Sequence, residues 1–200
     1  MKAIGIMGGA FDPIHIGHLI AAESAREACK LDEVWFIPTF GSPLKANRPG
    51  AEGQHRLAMV EAAISGNSAF RAIDMELARG GTSYSIDTAA ELLRQYPAYS
   101  FSYIIGSDRI NDLPQWHRVE ELAAIVSFIG LERPSDAPRL EQLSPRLKER
   151  LQMVQMPAIG LSSTALRDKL SAGRSVRYEI PAEVEAYIRR HDLYGSVAAY

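Results

Sequence analysis

Apolar residues in this chain gather into short runs, and the runs are separated by stretches with helical spacing. Ala3–Met7, Val34–Ile37, Phe70–Ile73, Phe101–Ile105 and Ile125–Ile129 are rich in β-branched and aromatic side chains, and Met153–Met156 adds a sixth run. Runs of that length and composition predict buried strands. Helical patterns lie between them over about 15–28, 54–65, 84–95 and 117–124. The alternation predicts an α/β fold, a Rossmann-like parallel sheet flanked by helices. Right-handed crossovers then put a ligand at the carboxyl ends of the strands, near the switch in strand order. Gly8, Pro38, Gly106 and Glu132 each follow a strand directly, so the loops they begin should converge on one cleft.

The final part of the chain is helical. Ser162-Ser163-Thr164 starts a helix that Gly173 closes, and Pro181 begins another with Arg189, Arg190 and His191 in its last turn. These two helices are expected to form a small subdomain, about 160–194, packed on the sheet. Thr39 to Glu52 and Glu132 to Ser144 carry prolines and read as loops, too short to link separate domains. We therefore expect one domain across 1–200, with a short tail of small residues after Tyr194.

Composition narrows the class. With 46% hydrophobic and 23% charged residues the chain has the make-up of a soluble globular protein. A net charge of -2 argues against broad nucleic-acid binding, so any anion site must be local. Cys29 is the only cysteine, which leaves no disulfide framework and no cysteine-based zinc site. No stretch is apolar for long enough to span a membrane, and the N-terminus lacks the basic and apolar regions of a leader, so a cytoplasmic setting is expected.

The chemistry concentrates in residues 8 to 18, Gly-Gly-Ala-Phe-Asp-Pro-Ile-His-Ile-Gly-His. A strand, a glycine turn and a helix start form a ready anion site, because first-turn N–H groups lack intrahelical partners. Gly8 and Gly9 let backbone approach a ligand, and His15 and His18, three apart, face the same side. Two imidazoles beside free amides suit a polyphosphate whose charge must be stabilised during reaction. Either histidine alone would read as a surface residue on a glycine turn. Together with Phe11-Asp12-Pro13 and Gly17 they argue for a site.

Four further stretches stand out. Ser162, Ser163 and Thr164 open a helix with Arg167 one turn in, offering donors and a fixed cation to a phosphate; the plainer alternative is a well-capped helix with a solvated arginine. Asp108 follows a strand within Gly106-Ser107-Asp108, where it can accept ribose hydroxyls or cap a helix. Trp116, in Leu113-Pro114-Gln115-Trp116-His117, can stack on an aromatic ring or anchor the core. Gly81 to Thr88 opens a helix with hydroxyls and an early acid, by itself a good N-cap. There is no Gly-x-Gly-x-x-Gly after the first strand, no P-loop, no His-Glu-x-x-His and no Gly-x-Ser-x-Gly elbow, so several common chemistries lose ground.

The motif His15-Ile16-Gly17-His18 resembles the His-x-Gly-His core of the nucleotidylyltransferases, and Ser162 to Arg167 resembles their late Ser-Ser-Thr-x-Ile/Leu-Arg motif. Thr82 to Thr88 and Leu113 to Trp116 resemble stretches of the bacterial nicotinate-nucleotide adenylyltransferase family, and the resemblance runs from Gly8 to Tyr194. It implies transfer of AMP from MgATP to nicotinate mononucleotide, giving deamido-NAD and pyrophosphate in NAD biosynthesis. It assigns ATP to Gly8, Gly9, Phe11, His15, His18, Gly106, Asp108, Ser162, Ser163 and Arg167, with His15, His18 and Arg167 as the catalytic set. It assigns the mononucleotide to Lys45, Thr82, Ser83, Tyr84 and Trp116. His55-Arg56 would be a minor phosphate contact. Mg2+ would enter through phosphates and water, without a protein cage. Ser42-Pro43-Leu44 departs from the Pro-Pro-His that the family commonly shows before its lysine.

The nearest rivals are adenylyltransferases for nicotinamide mononucleotide or phosphopantetheine, separated by the pocket around Thr82, Ser83, Tyr84 and Trp116. A nucleotide-binding module without catalysis is a further alternative, against which both histidines and Arg167 are retained. The expected partners are the two substrates, with no nucleic acid and no membrane; a homo-oligomer is compatible with the sequence.

Overall fold

The computed structural model describes residues 1–41, 50–132 and 138–195. Six strands form one parallel sheet: β1 (Lys2–Gly9), β2 (Glu33–Pro38), β3 (Phe70–Ala72), β4 (Tyr99–Gly106), β5 (Ser127–Glu132) and β6 (Leu151–Gln155). Their order is β3-β2-β1-β4-β5-β6, with the switch in direction between β1 and β4. All six runs read as strands from the sequence are strands. Boundaries moved at β5, where Ile125 closes a helix and the strand starts only at Ser127, and at β6, which starts at Leu151 rather than Met153.

The sheet is buried on both faces, which is why its central strands read as unbroken apolar runs. Successive residues point to opposite sides. Val34 and Phe36 enter one apolar cluster, and Trp35 and Ile37 the other. Gly5 is needed in β1 for space, since a Cβ there would lie 2.7 Å from Ile104 Cδ1 and 2.8 Å from Leu31 Cδ1.

Helices α1 (Ile16–Ala28) and α2 (Gly53–Ile64) cover the first face. Short α3 (Met75–Arg79) and longer α4 (Ser85–Gln95) follow β3. Past β4 come α5 (Ser107–Ile110) and α6 (Val119–Ile125), and α7 (Pro145–Arg150) precedes β6. The helices α3, α5 and α7 were not apparent in the sequence, because pieces of four to six residues carry too little periodicity. The chain ends in α8 (Ser163–Ser171) and α9 (Ala182–Arg190), followed by a 3-10 turn at Leu193–Gly195. Leu166, Leu170, Val184 and Ile188 of α8 and α9 share one core with Ala21, Ala22, Met59 and Val60 of α1 and α2. The C-terminal helices are thus continuous with the layer on that face.

Candidate active site at the carboxyl edge of β1 and β4

Gly8 and Gly9 end β1 in register with Ile37 and Pro38 of β2, and Gly106 ends β4. A Cβ on Gly8 would meet nothing within 4 Å, so the backbone there borders open space that a ligand can use. The chain then turns through Phe11, which has a positive φ of 48°, and a cis Asp12-Pro13 bond into the N-cap residue His15. Phe11 is buried, with its ring edge-on to His18 at 5.2 Å and tilted against Phe36 at 5.8 Å.

His15 and His18 are stacked, their ring centroids 3.7 Å apart. The His15 main-chain N–H donates to His18 Nδ1 at 3.2 Å. An acceptor Nδ1 puts the proton of a neutral imidazole on Nε2, so His18 presents an N–H on its far edge. Gly17 makes room for this. A Cβ at position 17 would lie 3.0 Å from His15 Nδ1 and 3.1 Å from its Cε1.

The second phosphate-type motif docks on the first. Ser163 Oγ donates to the Pro13 carbonyl at 2.9 Å, and Arg167 donates to the Asp12 carbonyl at 2.8 Å. Ser162 caps α8 by accepting from the Ala165 N–H at 3.2 Å, as its place in the sequence predicts. Arg167 also faces the Asp12 carboxylate at 3.5 Å and the Thr164 hydroxyl at 3.3 Å, and keeps about a third of its side chain exposed. The starts of α1 and α8 therefore meet across a single turn.

Asp12 is the residue whose importance the sequence understated. It is 3% exposed, yet its carboxylate accepts from the N–H groups of Gly50 and Ala51 and from the Tyr194 hydroxyl. Arg56, expected as a minor phosphate contact, is instead buried and donates to the carbonyls of Ala10 and Ala51. Burial lowers its pKa, and Asp12 and Tyr194 oppose that shift. His55 is turned to Tyr187, with Nδ1 3.1 Å from its hydroxyl.

On the other side of the switch, Ser83 is buried between two segments. Its hydroxyl accepts from the Phe40 N–H at 3.1 Å, and its own N–H donates to the Gly41 carbonyl. Thr82 is exposed, after Gly80 and Gly81, which both take positive φ. Tyr84 is half-buried with its ring 4.4 Å from that of His117. Trp116 stands edge-on to Tyr103 at 6.3 Å, and among the described residues its buried Nε1–H finds no acceptor. Asp108 lies in the first turn of α5, partly exposed, 3.8 Å from Arg109. Lys45, with Ser42-Pro43-Leu44, lies outside the described residues.

Known proteins with these features are numerous. A family model described as cytidylyltransferase-like matches residues 6–169. The probable nicotinate-nucleotide adenylyltransferase of Oceanobacillus iheyensis is 44% identical over 195 residues, covering 98% of both chains. The chain belongs to the nicotinate-nucleotide adenylyltransferase family. A second relative in that family, from Salinibacter ruber, is 41% identical and covers 96% of this chain and 97% of its own. The nicotinic acid mononucleotide adenylyltransferase of Plasmodium falciparum, solved with NaAD, superposes with a TM-score of 0.79 over 98% of each chain. At 22% identity that likeness speaks for the fold.

Proposed function

We propose that this member of the family joins the adenylyl group of MgATP to nicotinate mononucleotide, releasing pyrophosphate, at the carboxyl edge of β1 and β4. The observation that carries this reading is the docking of α8 on the Asp12-Pro13 turn, through Ser163 and Arg167. It gathers two helix starts, a histidine pair and an arginine around the open space beside Gly8. The relatives from Oceanobacillus iheyensis and Salinibacter ruber, named probable nicotinate-nucleotide adenylyltransferases and 44% and 41% identical, support it.

No covalent intermediate is needed. An oxygen of the mononucleotide phosphate attacks the α-phosphorus in line, and the bond to the β-phosphate breaks. Catalysis rests on placement and on charge stabilisation as pyrophosphate leaves. His18 Nε2–H donates to the transferred phosphate, with His15 beside it. The Ser163 hydroxyl already donates its hydrogen bond to the Pro13 carbonyl, so Ser163 meets a phosphate through main-chain N–H at the α8 start. Ser162 keeps its hydroxyl proton, and Arg167 adds a cation to the leaving group. Gly106 and Asp108 hold the adenosine.

Thr82, Ser83, Tyr84 and Trp116 receive the nicotinate, and Lys45 the mononucleotide phosphate. Among the described residues no three His, Cys, Asp or Glu side chains are placed to hold a metal ion. The Mg2+ that accompanies ATP would take its ligands from phosphates and water. No helix among the described residues is long and apolar enough to cross a membrane, and a cytoplasmic setting goes with this reading.

Pyrophosphate release measured with MgATP and each of nicotinate mononucleotide, nicotinamide mononucleotide and phosphopantetheine tests the assignment. Turnover with the nicotinate substrate alone supports it. Preference for either of the others, or no release at all, overturns it.

A further inference from the structure

Tyr194 reaches Asp12 from the far end of the chain. The 3-10 turn Leu193–Gly195 sets its hydroxyl 2.7 Å from Asp12 Oδ1, across 182 residues of sequence. The turn holds Tyr194 at φ 62° and ψ 21°, a left-handed conformation that a side chain of this kind seldom adopts. Burial, with the Asp12 carboxylate next, pushes the phenol well above its ordinary pKa, so the hydroxyl is a donor at any working pH.

The Asp12 carboxylate divides its two oxygens among four partners. Oδ1 takes the Ala51 N–H at 3.0 Å and the Tyr194 hydroxyl, while Oδ2 takes the Gly50 N–H at 2.7 Å and faces Arg167 at 3.5 Å. The Arg167 nitrogen near Oδ2 is the same one that donates to the Asp12 carbonyl at 2.8 Å. Arg167 is thus anchored by main chain and balanced by carboxylate on one side, and a third exposed on the other. Gly50 is drawn into the same knot, since a Cβ there would lie 3.5 Å from both Arg167 Cδ and Tyr194 Cε1.

A carboxylate whose oxygens are already bonded competes less for a guanidinium. Without the Tyr194 hydroxyl, Oδ1 would keep only the Ala51 N–H, and more of the buried charge would act on Arg167. The guanidinium would be drawn inward, away from an arriving phosphate.

We propose that Tyr194 is a positioning residue for ATP: its hydroxyl, acting through Asp12, holds Arg167 where it meets the outer phosphates. This rests on the reading of Arg167 as a phosphate ligand. The alternative is a tie that merely fastens the C-terminal turn.

The test is a double-mutant cycle in the full chain, with Y194F, R167K and the combination. Both substrate KM values, kcat and Tm are measured for each. Y194F is expected to raise the KM for ATP about five- to tenfold, with the mononucleotide KM within about twofold of the parent. In the R167K background Y194F should add less than about twofold, because the residue it acts through is already impaired. Fully additive losses, or a lower Tm with both KM values unchanged, overturn the inference and leave the tie as a fastening. An R167K protein with unaltered ATP kinetics overturns the phosphate reading of Arg167 itself, and the inference with it. That outcome is distinct from an impaired R167K beside a normal Y194F, which removes Tyr194 alone.

Discussion

The ring of His18 lies against the ring of His15, 3.7 Å between centroids, while its Nδ1 holds the His15 N–H at 3.2 Å. The helix start and the edge that His18 presents are therefore one piece of geometry. His18→Ala should lower turnover by roughly a hundredfold or more, the scale for losing one transition-state donor. The fold should survive, because the side chain is only half-buried. Single-turnover rates with matched circular dichroism check this, and near-parental turnover in a folded variant would remove His18 from the chemistry.

Gly17 gives a sharper test, since it touches no substrate in our reading. Alanine is favoured over glycine inside a helix, and the push on the buried His15 ring offsets that gain, so Gly17→Ala should leave Tm little changed. Its Cβ, 3.0 Å from His15 Nδ1, has to displace that ring. A shift of a few tenths of an ångström in that ring should lower kcat measurably, by about two- to tenfold. Undiminished activity would mean that the position of the His15 ring is unimportant.

Acid selectivity follows from the proposed nicotinate pocket. Ser83 is already bonded to Phe40 and Gly41, so in this reading a carboxylate is met by donors of Thr82 and Tyr84, which form charge-assisted bonds. An amide in its place loses the charge and turns an NH2 toward donors, at a cost on the order of several kcal/mol. The ratio of kcat/KM for the acid and amide mononucleotides measures it. A ratio near unity would move this chain to a dual-specificity enzyme.

Behind that pocket lies Glu76, 5% exposed, with Oε1 accepting from the Thr88 hydroxyl at 2.7 Å. Burial raises its pKa above the model-peptide value of 4.5, against the lowering effects of Thr88, Ser83 and Arg79. The folded carboxyl thus keeps its proton to higher pH than the unfolded one. Well below pH 4.5 both states are protonated and the burial of Glu76 carries no charge penalty. As pH rises above that value the unfolded chain ionises first, so stability falls until the folded carboxyl has ionised too. Glu76→Gln should raise Tm at pH 8, with the gain shrinking toward pH 4. Thermal melts across that range decide it, and a variant that is less stable at pH 8 would show that the charge is well compensated.

Much of this architecture could be read from the chain because parallel strands buried on both sides announce themselves as apolar runs. Val34 to Ile37 sends alternate residues into two cores, and all four are apolar. His15 and His18 were legible because helical spacing and an N-cap leave little freedom. Ser162 was legible as a cap for the same reason. Asp12 and Tyr194 were not. Local spacing cannot report a bond between residues 182 positions apart, and a tyrosine near the end of a helical segment looks like ordinary packing. The burial of Arg56 was not legible either, because exposure is the default for arginine and its two carbonyl partners come from elsewhere in the chain. Glu76 gave no signal, since an acid in a five-residue helix normally faces water.

The bond between Asp12 and Tyr194 also has a temporal side. A ribosome making this chain finishes β1 and the turn after it early, yet the last partner of that turn's carboxylate arrives 182 residues later. Through synthesis the central strand also waits for β4, whose Tyr99 pairs with Lys2. Such distant closures make folding slow to begin and late to finish. The nascent protein would acquire its sheet first and this tie only once Tyr194 has been made.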